Sequence, residues 1–349
     1  MIYRTPDYYS KFRCIADKCR DSCCIGWEID IDADTADYYN SIGGAFGKRL
    51  KENISDQSFI LSADDRCPFL NNRNLCDIYT ELGEEHLCQI CSDHPRYYEW
   101  FGSVKEGGIG LSCEEAARII LSSDFTLTET EIQEDEDELC DTELYDLLLN
   151  VRDKIFSDIK TLSLSDAMCS MLDIAAEMQS RSDNGEFSVP EHFEKTPAES
   201  PDKTAILHFY GELEPIDENW MPYLADCEKY LGQTVGSPQK YEEYLKRIGL
   251  YFIYRYFMKG VFDGEILSRV KLAAVSVWMI GHLWQCEEIK TGCCDMKKCA
   301  WIAKNYSKEV EYCEENIEAI LDASYEMECF SVQRVKGLFE EYYSKIKYL

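Results

Sequence analysis

Residues 19–30 read CRDSCCIGWEID, three cysteines in six positions, with Cys14 five residues upstream. The spacing C-x4-C-x3-C-C continues as Cys67-x8-Cys76, then Cys88-x2-Cys91, then Cys113 alone. Nine of the eighteen cysteines therefore fall in the first 113 residues. This region holds only short apolar runs and many turn signals, among them Gly43–Gly44, Asp64–Asp65 and NNRN at 71–74. Such a segment buries little surface by itself, and a metal centre would supply the missing stability. Thiolates are soft, anionic ligands, and short spacings deliver several to one point. Zinc usually shows paired C-x2-C knuckles, and Cys88–Cys91 is the single pair here. Adjacent Cys23–Cys24 and the high thiol count lean towards an iron–sulfur cluster with four cysteine ligands, zinc being the alternative. The bland reading is that these are buried small residues. Short loops close at least entropic cost, which favours Cys19, Cys23, Cys88 and Cys91, followed by Cys67 and Cys76.

The rest of the 349-residue chain reads as helices. Apolar residues recur at helical spacing in Glu114–Leu121, Leu144–Ile159, a helix capped at Ser165, Tyr241–Phe257, Glu265–Glu287, Glu309–Tyr325 and Val332–Ile346. No alternating strands are expected, and EGGIGLS at 106–112 reads as a backbone turn. Residues 182–201 form a long loop. The expected fold is mainly α. A cysteine-rich, metal-organised module spans 1–122, an acidic connector 123–143, and a helical domain 144–349. A second knot, Cys286, Cys293, Cys294 and Cys299, is either another metal site or chance in a cysteine-rich chain. Cys140, Cys169, Cys227, Cys313 and Cys329 stand alone and read as packed.

A net charge of −30 argues against nucleic acid, whose phosphates need basic partners. It suits a basic substrate, or solubility alone. MIYRTPDYYSKF carries no signal-peptide core, and the apolar run Leu272–Cys286 is too short to span a bilayer. The expectation is a cytoplasmic protein with reduced thiols and no transmembrane segment.

The ordered set CxxxCC, CPFLNNRNLCDIY, LGEEHLCQICSDHPR and GLSCEEAARIIL resembles the flagellin lysine-N-methylase family, within a wider group of zinc- or iron-chelating cysteine-cluster proteins. The resemblance is carried by about the first 120 residues. It implies transfer of methyl from S-adenosylmethionine to lysines of flagellin, with a cysteine-bound iron–sulfur cluster, expected as 4Fe-4S with zinc the alternative, drawn from Cys14, Cys19, Cys23, Cys24, Cys67, Cys76, Cys88, Cys91 and Cys113. The amine must be neutral to react, so the pocket should be less acidic than its surroundings and built from aromatic faces. Trp27, Tyr97, Tyr98 and Trp100 are the pocket candidates, with packing as the bland alternative. Arg96 is the candidate for the carboxylate of S-adenosylmethionine. His94, held by Pro95, reads as structural, with base or ligand as its other roles. Two non-catalytic readings stand beside the enzyme: a metal-chelating module and a redox- or iron-sensing protein.

Overall fold

The computed structural model describes residues 1–134, 141–233 and 238–344. Cys140 and part of the acidic connector lie outside these residues. The chain is mainly helical, as expected, but it also contains a sheet that the periodicity did not announce. Strands β1 (Ile2–Pro6), β4 (Arg96–Phe101), β5 (Val104–Ile109) and β6 (Leu127–Glu131) form a four-stranded sheet in the order β4-β5-β1-β6. β1 runs parallel to β5 and antiparallel to β6, and β4 pairs antiparallel with β5. Strands β2 (Ile54–Ser55) and β3 (Ser58–Phe59) make a separate short hairpin.

Residues 106–109 are thus strand, not turn, and part of the acidic run is strand β6. Paired glycines weaken a strand, which hid β5 from a propensity reading. They are needed because rings lie against both faces. A Cβ at Gly107 would collide with the Tyr3 hydroxyl, and one at Gly108 with the Tyr97 hydroxyl.

Helices α1 (Ala33–Ser41), α2 (Gly44–Glu52), α3 (Asp77–Leu82) and α4 (Gln89–Asp93) are short and pack around a small core of Ile29, Ile31, Tyr39, Leu50, Phe59 and Phe69. Cys67 and Cys88 are buried in it. The region therefore has an apolar core of its own. A larger core takes in Tyr8, Phe12, the segment from Phe101 to Phe125 and the helices that follow.

These helices are α5 (Glu114–Ser122), α6 (Thr142–Thr161), α7 (Leu164–Asp183), α8 (Lys203–Tyr210), α9 (Trp220–Glu228), α10 (Glu242–Tyr256), α11 (Gly260–Asp263), α12 (Leu267–Thr291), α13 (Met296–Glu311), α14 (Glu314–Glu326) and α15 (Val332–Ser344). α12 is the axis: every residue from Ser268 to Cys286 is buried, and α7, α10, α13, α14 and α15 pack around it. An all-round apolar helix of this kind belongs to a core. No helix among the described residues is long and apolar enough to cross a membrane.

Several helix ends shift from expectation by up to four residues, α12 for instance running from Leu267 to Thr291, and two differences change the reading. The cap of α7 is Ser163, whose hydroxyl accepts from Asp166 N at 3.1 Å and donates to the Asp166 carboxylate at 2.7 Å. Ser165 falls inside the first turn. The expected helix 309–325 is broken at Tyr312–Cys313, where Cys313 is extended and α14 opens with Glu314 and Glu315. Acidic residues favour a helix N-terminus, and Asn316 Nδ2 satisfies the Glu309 carbonyl at 2.8 Å. The break frees Tyr312 from helical packing and turns it towards the cysteine-rich region.

Candidate active site

The loop carrying the adjacent cysteines docks on the helical domain through charge. The Arg20 guanidinium lies 4.2 Å from the Trp301 ring centre and pairs with Glu114 at 2.6 Å. The Asp21 carboxylate pairs with Lys304 and, at 3.6 Å, with Lys308. This docking brings Trp27 against the α13–α14 break. Gly26 makes the turn before it with φ at +91°, and the indole Nε1 donates to the Cys23 carbonyl at 2.7 Å.

Trp27, His94 and Tyr312 cluster, with Tyr312 stacked on both other rings and Trp27 and His94 tilted to each other by 35°. Ring centres are 6.1 Å apart for Trp27–Tyr312, 6.2 Å for Trp27–His94 and 6.0 Å for His94–Tyr312. The Tyr312 hydroxyl lies 3.1 Å from His94 Nδ1. Burial lowers the His94 pKa to about 4, with Lys304 acting in the same direction. The ring is therefore neutral near pH 7.

The trio lines a cleft of about 520 Å³ whose walls include Asp30, Asp32, Asp93 and Arg96. The cleft is more acidic than expected, but its carboxylates are engaged. Asp32 caps α1 by accepting from Thr35 N at 3.0 Å and also accepts from Gln89 N at 2.8 Å. Asp93 accepts from Gln89 Nε2 at 2.6 Å, and Asp30 from Ser58 Oγ at 2.7 Å. Next to Tyr312 in sequence, Glu311 belongs to a buried network centred on Arg255. Arg255 pairs with Glu311 at 3.2 Å and donates to the Tyr251 hydroxyl at 2.8 Å. Glu311 also accepts from Tyr251, Tyr256 and Ser307.

Strand alternation separates the four aromatic candidates. Trp27 lines the cleft. Tyr97 points into the domain, under Arg255 at 4.4 Å, and its buried hydroxyl has no hydrogen-bond partner among the described residues. Tyr98 and Trp100 lie on the other face of the sheet with Arg96, whose guanidinium is 5.3 Å and 5.7 Å from the Phe12 and Tyr9 ring centres. Tyr312 is the residue that sequence reasoning missed. Its signal was the acidic pair after Cys313, which marks a new helix start.

The nine thiols fall into two adjoining groups. Cys14 lies near enough to raise Cys19, Cys23 and Cys113, and Cys24 near enough to raise Cys67, Cys76 and Cys91. Neighbouring Cys23 and Cys24 join the groups through a shared hydrogen bond. That bond pushes Cys23 up and brings Cys24 down to about 7. The Cys88–Cys91 bond likewise lowers Cys88 and raises Cys91. Burial pushes Cys67 up to about 12 and Cys113 to about 11. Soft thiols in such company suit a metal chemically. Among the described residues, however, no three or more Cys, His, Asp or Glu side chains converge closely enough to hold an ion. In the second knot, Cys286 Sγ points to the Cys227 carbonyl and His282, Cys294 faces Cys299 with sulfurs 3.5 Å apart, and Cys293 is exposed.

Comparison with known proteins places the helical domain. The model of the FliB lysine N-methylase C-terminal domain matches residues 157–338, more than half of the chain. A Lysine-N-methylase of Salmonella typhimurium is 31% identical over 127 residues, 34% of this chain and 32% of that protein. A Lysine-N-methylase of Salmonella choleraesuis gives the same identity and coverage. The flagellar biosynthetic protein FliU of Salmonella muenchen is 30% identical over 127 residues, 34% of this chain and 75% of FliU. The matched stretch spans about a third of the length of the two Lysine-N-methylases. No solved structure matches. The expectation raised by the cysteine motifs is met from the other end of the chain, through α6 to α15: this protein belongs to the FliB lysine N-methylase family.

Proposed function

We propose that the chain is a cytoplasmic protein-lysine N-methyltransferase that takes methyl from S-adenosylmethionine and places it on lysines of flagellin. The observation that carries the reading is the cleft. The trio Trp27, His94 and Tyr312 offers a slot lined by rings, and rings attract both an ammonium and a sulfonium. Asp30, Asp32 and Asp93 draw a cationic side chain to the mouth. Because backbone, amide and hydroxyl donors already occupy these carboxylates, they hold the ammonium form less strongly than free ones would. Desolvation between the rings then favours the neutral amine that methyl transfer requires. Its nitrogen lone pair forms the new N–C bond as the C–S bond of the donor breaks. Arg96, which lines the cleft, is the candidate we propose for the carboxylate of the donor.

The cysteines would hold the iron–sulfur cluster, or zinc, of this reading. When bound, a cluster supplies electron-transfer chemistry. The thiols suit it in kind but do not converge as placed, so the methyl-transfer step rests on the cleft.

The test uses the full chain purified anaerobically, with iron, sulfide and zinc analysed. Incubation with flagellin and labelled S-adenosylmethionine should label lysine side chains. Trp27→Ala and Tyr312→Ala should each reduce labelling at least about tenfold, as expected for losing a desolvated ring face. Metal-loaded protein that labels no flagellin would favour the chelating or sensing reading. Unchanged rates in both variants would remove the cleft from the mechanism.

A further inference from the structure

The sheet carries a second aromatic site, on the face away from Tyr97. Lys105 of β5 lies opposite Trp100 of β4 on one side and Tyr3 of β1 on the other. Tyr98, two residues before Trp100, shares that face. The Lys105 ammonium is 4.9 Å from the ring centres of Tyr98 and Trp100 and 5.8 Å from that of Tyr3. Glu134 accepts from it at 2.8 Å and 3.0 Å. The rings are braced from behind: Tyr3 meets Tyr9 edge-on at 6.0 Å, and the Tyr9 and Tyr98 hydroxyls are 3.2 Å apart. Gly107 leaves the space that Tyr3 fills.

An ion pair with Glu134 needs no rings, and packing needs no cation among them. Three rings within about 6 Å of one ammonium make a cation cage. The Lys105 side chain is 14% exposed while Trp100 keeps 36% of its surface, so the cage is open on the Trp100 side.

The geometry points to Tyr3, Tyr98 and Trp100 as a recognition site for a methylated lysine side chain, which Lys105 fills when no ligand is present. An unmodified lysine offers the rings nothing that tethered Lys105 does not already supply. A methylated ammonium has fewer N–H groups to satisfy, sheds water more readily and meets the rings through its methyls. It gains from the cage without needing Glu134. Lys105 therefore sets the threshold that separates methylated from unmethylated side chains. The Tyr98 hydroxyl lies 3.5 Å from Asp93 Oδ1 on the cleft wall, so cage and cleft share a boundary. The source of the ligand, a protein already methylated at the cleft, rests on the function proposed above. Binding itself does not.

The experiment is calorimetric titration of the full chain with N-acetyl-Nε-trimethyl-lysine amide and with its neutral tert-butyl isostere. Lys105→Ala should bind the trimethylammonium compound at least about tenfold more tightly than the unsubstituted chain, and should not bind the isostere. Adding Trp100→Ala should reverse the gain, whereas adding Trp27→Ala should leave it. Lys105→Gln guards against a folding effect of the alanine. Failure of both Lys105 variants to tighten binding overturns the cage, as does equal binding of the isostere. Loss of binding with Trp27→Ala, and not with Trp100→Ala, would place the cation in the cleft. That result would sink the cage and leave the proposed function standing. Tight caged binding in a chain that methylates nothing would do the reverse.

Discussion

The cysteine-rich region and the helical domain solve the same problem in different ways. Around α12 the backbone satisfies its own polar groups in long helices, and burial supplies the stability. In the region from Cys19 to Cys91 helices reach at most nine residues, and side chains do much of the satisfying. Arg66 donates to the Leu70 and Asn71 carbonyls, and Arg49 to the Pro68 carbonyl. Asn71 Oδ1 accepts from Arg73 N and Leu75 N. Bonds of this kind replace secondary structure where the chain must turn often. The comparison teaches that one region tolerates loss of a local bond because its neighbours are redundant, while the other has few spare.

The seam between sheet and helices should break hardest. Glu106 is buried and accepts from Arg152 at 2.6 Å and 2.7 Å and from Arg4 at 2.8 Å. Burial alone would raise its pKa, but the two guanidinium groups outweigh burial and hold it below the usual carboxylate range. Glu106→Ala would leave the buried Arg152 guanidinium without its carboxylate and Arg4 with Glu129 alone, and a loss of about 3–5 kcal/mol in urea unfolding is expected. A loss under 1 kcal/mol would show that water or another anion takes the carboxylate's place.

Next in size is a pH effect confined to the helical domain. Burial lowers the His282 pKa from about 6.5 to about 4, partly opposed by its bond to the Cys227 carbonyl. Between these values the unfolded chain binds the proton and the folded chain does not. This contribution to stability is full above pH 6.5 and is lost as pH falls towards 4, by up to about 3 kcal/mol. His282→Gln should flatten that part of the stability curve. An unchanged slope between pH 6.5 and 4 would mean that His282 ionises without unfolding cost.

The two regions also differed in how much their sequence disclosed. α6, α10 and α12 were legible because burial on one side, or all round, imposes a helical period. β4 and β5 were not, because RYYEWF is aromatic on both faces and VKEGGI lacks side chains where other strands' rings intrude. Trp27, a candidate from the sequence, lines the cleft. Tyr98 and Trp100 were chosen for the same site, but strand alternation directs them to another face. Tyr312 could not be nominated, since its role depends on a helix break and on a loop almost 300 residues earlier in the chain. The family model matches the helical domain, where no short motif stood out. Packing constraints are spread thinly over many positions there, whereas thiols announce themselves singly.

A smaller effect should appear inside the cysteine-rich core. The Tyr39 hydroxyl donates to the His86 carbonyl at 2.7 Å, tying α1 to the segment before Cys88. Tyr39→Phe should cost about 1–2 kcal/mol. Hydrogen exchange should rise locally, in residues 33–91, before the helical domain responds. Uniform exchange across the chain would mean that the two regions unfold as one unit and that the contrast drawn above is static only.

The finest distinction concerns which serine starts α7. The sequence favoured Ser165, since it directly precedes Asp166 and the apolar run. The structure gives the role to Ser163, whose hydroxyl takes the Asp166 N–H and returns a bond to the Asp166 carboxylate. Ser163→Ala removes an acceptor from an otherwise unpaired helix N–H and should cost about 1 kcal/mol. Ser165→Ala, within the first turn, replaces a poor helix former with the best one and should be neutral or stabilise by a few tenths of a kcal/mol. Both are read as shifts in the urea midpoint at constant slope. If Ser165→Ala is the costly change, the helix begins two residues later than described. If both are silent, burial of Leu164 and Met168 fixes the helix start without help from a cap.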